Sequence, residues 1–504
     1  MTGDGGDAVF EANHRFDFFD YFRVPHRVVR EAGPAGDPLP EALGALWAAG
    51  PAGSPRPRLL WSRSDGSEPA RSRLLGRFEL TGIPIVGSML TDAAAREVLR
   101  GVPGAWRAAE PISAEDGRRV ASVWRDDRDG SVLLPFDPGE LMQSLWSERH
   151  QSLQPRTRAA VKATALRAYY LLRPAIPRRV QLGLRRSFAH VQARSSFPRW
   201  PIEDSLHDLY QWLFGVLVEV AGSPVPWLDL WPNGHSWALV LTHDVETEAG
   251  FGQRHLLRGP ERELGFRSSW NLVAERYAIA DHEVRALQLE GCEIGVHGLR
   301  HDGRDLGSRR LLRRRLPAMR AAATRWGAVG FRSPATQRRW AWMPLLGFDY
   351  DTSSTDTDPY EPQPGGCCTY LPFFNEGLVE LPITLPQDHT LFVILGHSDG
   401  QLWTEKARHI RSRRGMALML THPDYASDPR VSNAYRSVLT AFHDDPTMWH
   451  ALPREVAAWW RRRAASSLQR DASGWRIAGP AAQEGRVRWA GSWSTADEAA
   501  ISRG

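Results

Sequence analysis

Residues 237–246 read Trp237-Ala238-Leu239-Val240-Leu241-Thr242-His243-Asp244-Val245-Glu246, an apolar run that ends in a polar cluster with two carboxylates. A short apolar run of this kind is a buried strand, and alternate residues of a strand share a side. Asp244 and Glu246 are therefore expected to face one pocket. Similar runs recur downstream, separated by helical stretches: Cys292-Glu293-Ile294-Gly295-Val296, Ala328-Val329-Gly330-Phe331, Val379-Glu380-Leu381 and Met416-Ala417-Leu418-Met419-Leu420. Buried strands separated by helices predict a parallel sheet, open or closed into a barrel. Polar residues follow these strands at their C-terminal ends, where barrels build their active sites.

Four strand ends carry the chemistry. In Val296-His297-Gly298-Leu299-Arg300-His301-Asp302, histidines at i and i+4 fall on one side of a helical turn, where two imidazoles can share a cation. With 17 histidines in the chain, that spacing alone also arises by chance, and its place after a strand gives it weight. In Thr242-His243-Asp244-Val245-Glu246, one carboxylate can ligate metal while the other moves protons; the bland alternative is an acidic pair in solvent. Gly330-Phe331-Arg332-Ser333-Pro334-Ala335 delivers an arginine, which beside a carboxylate holds it ionised and oriented. Leu418-Met419-Leu420-Thr421-His422-Pro423-Asp424-Tyr425 places His422 after a strand with Asp424 two residues on, a pairing that suits a general acid.

Taken in order, these four elements resemble the motif series of polysaccharide deacetylases with the NodB-homology domain, carbohydrate esterase family 4. The resemblance spans about 235–460. It implies a distorted (β/α)7 barrel of the polysaccharide-deacetylase type that hydrolyses the N-acetyl group of a sugar. By position, His297 and His301 match the family's metal-binding histidines and Asp244 its catalytic base. Arg332 matches the residue that orients the base, and His422 the general acid. The first motif usually has adjacent aspartates, whereas here Val245 stands second. Glu246 is therefore assigned as the third ligand, with Asp244 as the alternative. Gly298 and Ala335 replace the usual hydroxyl residue and tyrosine. The stretch 349–358, with Gly365-Gly366 and Gln387-Asp388-His389, reads as substrate-facing loops, which makes Asp356, Asp358, Asp388 and His389 candidate substrate contacts; surface turns are the bland alternative. The implied cofactor is a divalent cation, zinc first, with cobalt, nickel or manganese open. The implied partner is an acetylated sugar or glycan precursor. Hydrolysis of another amide or a cyclic ureide on the same barrel, or carbohydrate binding without catalysis, are the competing expectations.

Outside this region the sequence says less. Residues 1–165 read as a mixed α/β region of unknown role, with strands near 77–80 and 131–136 and a capped helix at 137–146. Residues 166–231 read as a helical connector, 232–463 as the barrel, and 464–504 as a small β appendage and tail. The net charge of +5 is almost all arginine, since only Lys162 and Lys406 are lysines. It reads as a compositional bias, with the run 309–315 a solvated helix face, so no nucleic-acid partner is expected. Cys292, Cys367 and Cys368 form no C-x-x-C pair, which excludes a disulfide scaffold and a cysteine-built zinc site. No basic-then-apolar leader or apolar stretch of membrane length is visible, and a cytoplasmic location is the expectation.

Overall fold

The computed structural model describes residues 9–29, 39–49, 56–64, 73–153, 197–472 and 474–491. Its contacts divide the chain into two compact units. One comprises Met1–Leu153, Asp204–Gly234 and Arg462–Gly504, the other Gln154–Glu203 and His235–Arg461.

The first unit is built on a mixed nine-stranded sheet. The strands expected near 77–80 and 131–136 are Arg73–Leu80 and Val132–Leu134. The expected helix at 137–146 is Pro138–Trp146, and the Asp137 carboxylate caps it by accepting from the backbone N–H groups of Gly139 and Glu140. Of the expected helical connector at 166–231, residues 166–196 lie outside the described residues. The helix Ser205–Ala221 follows, with Leu209, Leu213 and Leu217 fully buried. It stops at Gly222, whose φ of 63° suits a residue without a Cβ. Near the C-terminus, Gly474–Ala478 pairs with Ser467–Asp471. Val487–Ala490 does not extend that hairpin but pairs with Val225–Leu228. Arg488 fixes this choice by donating at 2.9 Å to the fully buried Asp229 carboxylate.

The second unit holds the region read as a barrel. Its sheet runs in the order Phe373–Asn375, Leu378–Glu380, Tyr350–Asp351, Gly330–Phe331, Glu293–Val296, Ser269–Leu272, Trp237–Val245, Met416–Thr421. All neighbouring strands pair in parallel except the first two. The sheet curls, and the segment 381–385 bridges its two ends. Ile383 N–H donates to Ser354 O at 2.8 Å, and the Thr384 and Leu385 N–H groups donate to Leu418 O at 3.1 Å. Helices Asp281–Leu289, Arg309–Trp326, Gln401–Ser412 and Pro429–Phe442 come after the strands Ser269–Leu272, Glu293–Val296, Leu378–Glu380 and Met416–Thr421 in the chain.

Burial on both faces is why these strands read as apolar runs. Along Trp237–Val245, Trp237, Leu239, Leu241 and Val245 belong to the hydrophobic core. The alternate residues Thr242 and Asp244 turn the other way, into the curl. The same alternation points Asn271, His297 and Arg332 inward from their strand ends. Lower in the curl, Gly330 lets the Tyr350 ring pass, since a Cβ there would lie 1.9 Å from it. The Tyr350 hydroxyl donates to Glu293 at 2.6 Å, and burial pushes the Glu293 carboxyl up to about 7. The native chain thus holds a proton on Glu293 between its ordinary value of 4.5 and about 7, where the unfolded chain has released it. Stability contributed by this group is present below that window and lost as pH rises through it. Denaturant titrations of the parent and Glu293→Gln should show the difference shifting in favour of the variant as pH rises across the window. A difference independent of pH would contradict a protonated Glu293.

Candidate functional site

The inward-facing strand ends meet at one rim of the curled sheet. Asp244 is 2% exposed, and its Oδ1 accepts from Asn271 Nδ2 at 2.8 Å and Arg332 Nη1 at 3.2 Å. Its Oδ2 lies 3.6 Å from His297 Nε2. Burial opposes the charged form, but Arg332, His297, His422 and the Asn271 hydrogen bond outweigh it and hold Asp244 below the usual carboxylate range. Arg332 is itself fixed. Its Nε donates to Thr352 O and Oγ1 at 3.1 and 3.0 Å, and Nη1 also donates to Thr242 Oγ1 at 2.8 Å. The carboxylate is thus ionised and held in one orientation.

His297 Nδ1 lies 3.1 Å from the Arg332 carbonyl oxygen. A carbonyl only accepts, so Nδ1 carries the proton and Nε2 keeps its lone pair. Burial lowers the imidazole to about 4, which keeps it neutral and able to ligate. The turn to His301 begins at Gly298, with φ of 66°; a Cβ there would stand 2.4 Å from Asp305 Oδ2 and 2.7 Å from the Pro334 ring. The hydroxyl side chain usual in the resembling family has no room.

Glu246, His297 and His301 offer ligand atoms that all lie within 4.8 Å of one another. His301 Nε2 is 3.1 Å from Glu246 Oε1, yet it is buried and forms no hydrogen bond. A buried ring nitrogen facing a carboxylate oxygen at this distance can share a cation with it as well as a proton. Two imidazole nitrogens and one carboxylate fit the donor set of a divalent metal with open coordination positions.

His422 sits across the site, its Nε2 3.8 Å from Glu246 Oε1. Its Nδ1 bonds Asp388 Oδ1 at 2.6 Å, and its backbone N–H donates to Asp388 Oδ2 at 2.6 Å. Burial alone would lower this imidazole, but Asp388, then Glu246 and Asp244, raise it to about 10, so it carries a proton at neutral pH.

The carboxylate expected to orient His422 was Asp424, two residues on. Asp424 instead accepts from the Thr247 hydroxyl and, at 3.4 Å, from the Glu246 N–H. Proximity along the chain misled here, because Pro423 opens a short 3-10 turn that carries Asp424 toward the Glu246 loop. Asp388 and His389 were expected to touch substrate; Asp388 is fully buried under His422, and the His389 ring lies beside Tyr425. Asp356 and Asp358 are not open loop carboxylates either. Both are buried, and Asp356 holds Lys406 at 2.6 Å. With Thr336, Thr355 and Gln387 they line a narrow cavity. Asn271 was missed by the sequence reading, because Ser269-Trp270-Asn271-Leu272 lacks the apolar run that marks the other strands.

Comparison with known proteins adds the following. No protein-family model and no curated protein matches the chain. Thirty-six chains of solved structures match. One is a putative polysaccharide deacetylase from Mycobacterium smegmatis, 21% identical, covering 46% of this chain and 93% of its own, with a TM-score of 0.38. The chain is similar to polysaccharide deacetylases. It is also similar to the allantoinase Puue, at 15% identity over 46% of this chain and 92% of that one, with a TM-score of 0.37. A family 4 carbohydrate esterase from Streptomyces lividans, in complex with acetate, is 14% identical over 43% and 93%, with a TM-score of 0.29.

Asp388, which holds His422, and Asp424, which holds the Glu246 loop, separate experimentally. Calorimetric titration with zinc should find one tight site per chain, weakened more than about 100-fold by His301→Ala. Asp424→Asn, which loosens the Glu246 loop, should cost about 10–100-fold, while Asp388→Asn leaves zinc affinity near that of the parent. Equal losses in the two aspartate variants would contradict this division.

Proposed function

We propose that the protein is a metal-dependent hydrolase that removes the acetyl group from an N-acetylated sugar or glycan precursor. The observation that carries this reading is the convergence of three ligand atoms within 4.8 Å beside a braced, ionised Asp244 and a protonated His422. Glu246, His297 and His301 are the proposed ligands. Zinc suits two imidazoles and a carboxylate best, and cobalt, nickel and manganese satisfy the same donors. A cation held there supplies Lewis-acid polarisation of the acetyl carbonyl and acidifies water.

The chain's own residues supply the proton movements. Asp244 takes a proton from the water that attacks the acetyl carbon. Arg332 and Asn271 fix the carboxylate oxygen Oδ1, which leaves Oδ2 toward His297 and the reacting groups. The Asp388 carboxylate holds His422 with Nε2 facing the site, from which it donates its proton to the leaving amine nitrogen. Without that proton an amine is a poor leaving group. One water is consumed, and the products are acetate and a free amino sugar. The reading implies a distorted seven-stranded barrel of the family's kind and keeps the 232–463 segment as the catalytic domain.

Asp244 is the base and not a second ligand in this scheme because Arg332 and Asn271 already occupy one of its oxygens. Glu246 has no such partner on its carboxylate and lies nearer His301.

Mass spectrometry of N-acetylglucosamine oligomers incubated with the purified protein tests the proposal. One acetyl mass should be lost, and the loss should vanish with chelator or in His297→Ala. Asp244→Asn and His422→Gln should each slow it by about 10²–10⁴. Ring opening of allantoin without deacetylation would assign the other amide chemistry, and tight zinc binding with no turnover on either would leave a binding protein.

A further inference from the structure

The chain has a net charge of +5, yet the single helix Arg309–Trp326 contains seven arginines and no acidic residue. The remainder of the chain therefore carries a small net negative charge. Basic residues without acidic ones also fill 156–199, so the excess is concentrated in segments, of which this helix is one, and not spread evenly along the sequence.

Within that helix, Arg309, Arg310, Arg313 and Arg314 are exposed and form no ion pair among the described residues. Exposed arginines nearby behave differently: Arg300 holds Glu275 at 2.9 Å and Arg325 holds Asp281 at 2.7 Å. The four unpaired residues also occupy the first turns of the helix, where the backbone already presents partial positive charge. Arg309 and Arg313, and Arg310 and Arg314, are like charges at i and i+4, which repel. A single helix face thus gathers charges that destabilise it.

The placement relative to the proposed metal site is fixed. Arg315 turns inward and holds Asp302 and Asp305 at 2.6 Å each. Those aspartates belong to the loop that leaves His301, so the exposed arginines ride on the same loop-helix unit as two proposed ligands. The same contact uses up the two acids that could have neutralised them.

We propose that this face docks the protein on an anionic lipid bilayer. Arginine is weakly hydrated and pairs with phosphate in a planar fork, so four of them on a convex helix suit an array of headgroup phosphates. A single small phosphate ligand would call for a concave site instead. A nucleic acid also presents a phosphate array, but it offers no N-acetyl group. The choice of bilayer thus rests on the proposed deacetylation: a lipid-anchored glycan precursor would meet the His297–His301 rim where the helix touches the surface.

Flotation of the full-length protein with vesicles tests this. The protein should bind vesicles of phosphatidylcholine mixed with phosphatidylglycerol, not vesicles of phosphatidylcholine alone, and raised salt should release it. Replacing the four residues by glutamine (Arg309→Gln, Arg310→Gln, Arg313→Gln, Arg314→Gln) should weaken binding by about five-fold per residue, several hundred-fold together. The same variant should melt slightly higher than the parent and deacetylate a soluble N-acetyl oligosaccharide at the parental rate. The four-lysine variant should keep most of the binding, and if the glutamine variant fails to fold, this variant and the salt response decide. Absence of binding to the anionic vesicles, equal binding to neutral ones, persistence in high salt or in a folded glutamine variant, or arginine-dependent binding to duplex DNA in place of vesicles would each overturn the proposal. Vesicle binding requires no turnover, so arginine-dependent docking by a protein that releases no acetate would reject the deacetylase reading alone.

Discussion

A carboxylate buried inside a curled sheet must be paired, or it takes up a proton and loses its chemistry. Asp244 meets that constraint through Asn271, from the adjacent strand, and Arg332, from a strand end three places away in the sheet. Much of the surrounding architecture follows. Arg332, fully buried, needs its own acceptors, and Thr242 and Thr352 supply them. The Arg332 carbonyl then sets the His297 tautomer. One ion pair thus ties the proposed base, its orienting cation and a proposed ligand into a single unit whose parts cannot move independently.

The outer face of the same strand end solves a different problem. His243 alternates away from Asp244 and bonds Thr421 Oγ1 at 2.8 Å and Glu261 Oε1 at 2.7 Å. Glu261 also accepts from Tyr435 and Ser268 at 2.6 and 2.7 Å. This fully hydrogen-bonded polar cluster lies behind the sheet and joins the strands that carry Asp244 and His422. Satisfied networks of this kind specify one arrangement of the groups they hold. Period-two alternation therefore lets nine residues of strand serve the site on one side and its scaffold on the other.

Much of the site was legible because chemistry concentrates at strand ends. His297, His301, Arg332 and His422 each follow an apolar run, and their order along the chain carried the resemblance. What stayed hidden was set by contacts distant in sequence. Asp388 reaches His422 from 34 residues away, and Lys406 reaches Asp356 from 50. Local spacing favoured Asp424 for the first role and left Asp356 as a loop acid. Asn271 sits in a strand too short and too polar to show periodicity. In the first unit, the pairing of Val487–Ala490 with Val225–Leu228 joins segments more than two hundred residues apart, and no local signal announces it.

The central claim is that Glu246, His297 and His301 form one metal centre. X-ray absorption spectroscopy of the zinc-loaded protein reads that coordination shell directly. The account predicts two imidazole nitrogens at about 2.0–2.1 Å with the remaining positions filled by oxygen. A shell containing sulfur at about 2.3 Å, or one without imidazole scattering, would contradict it.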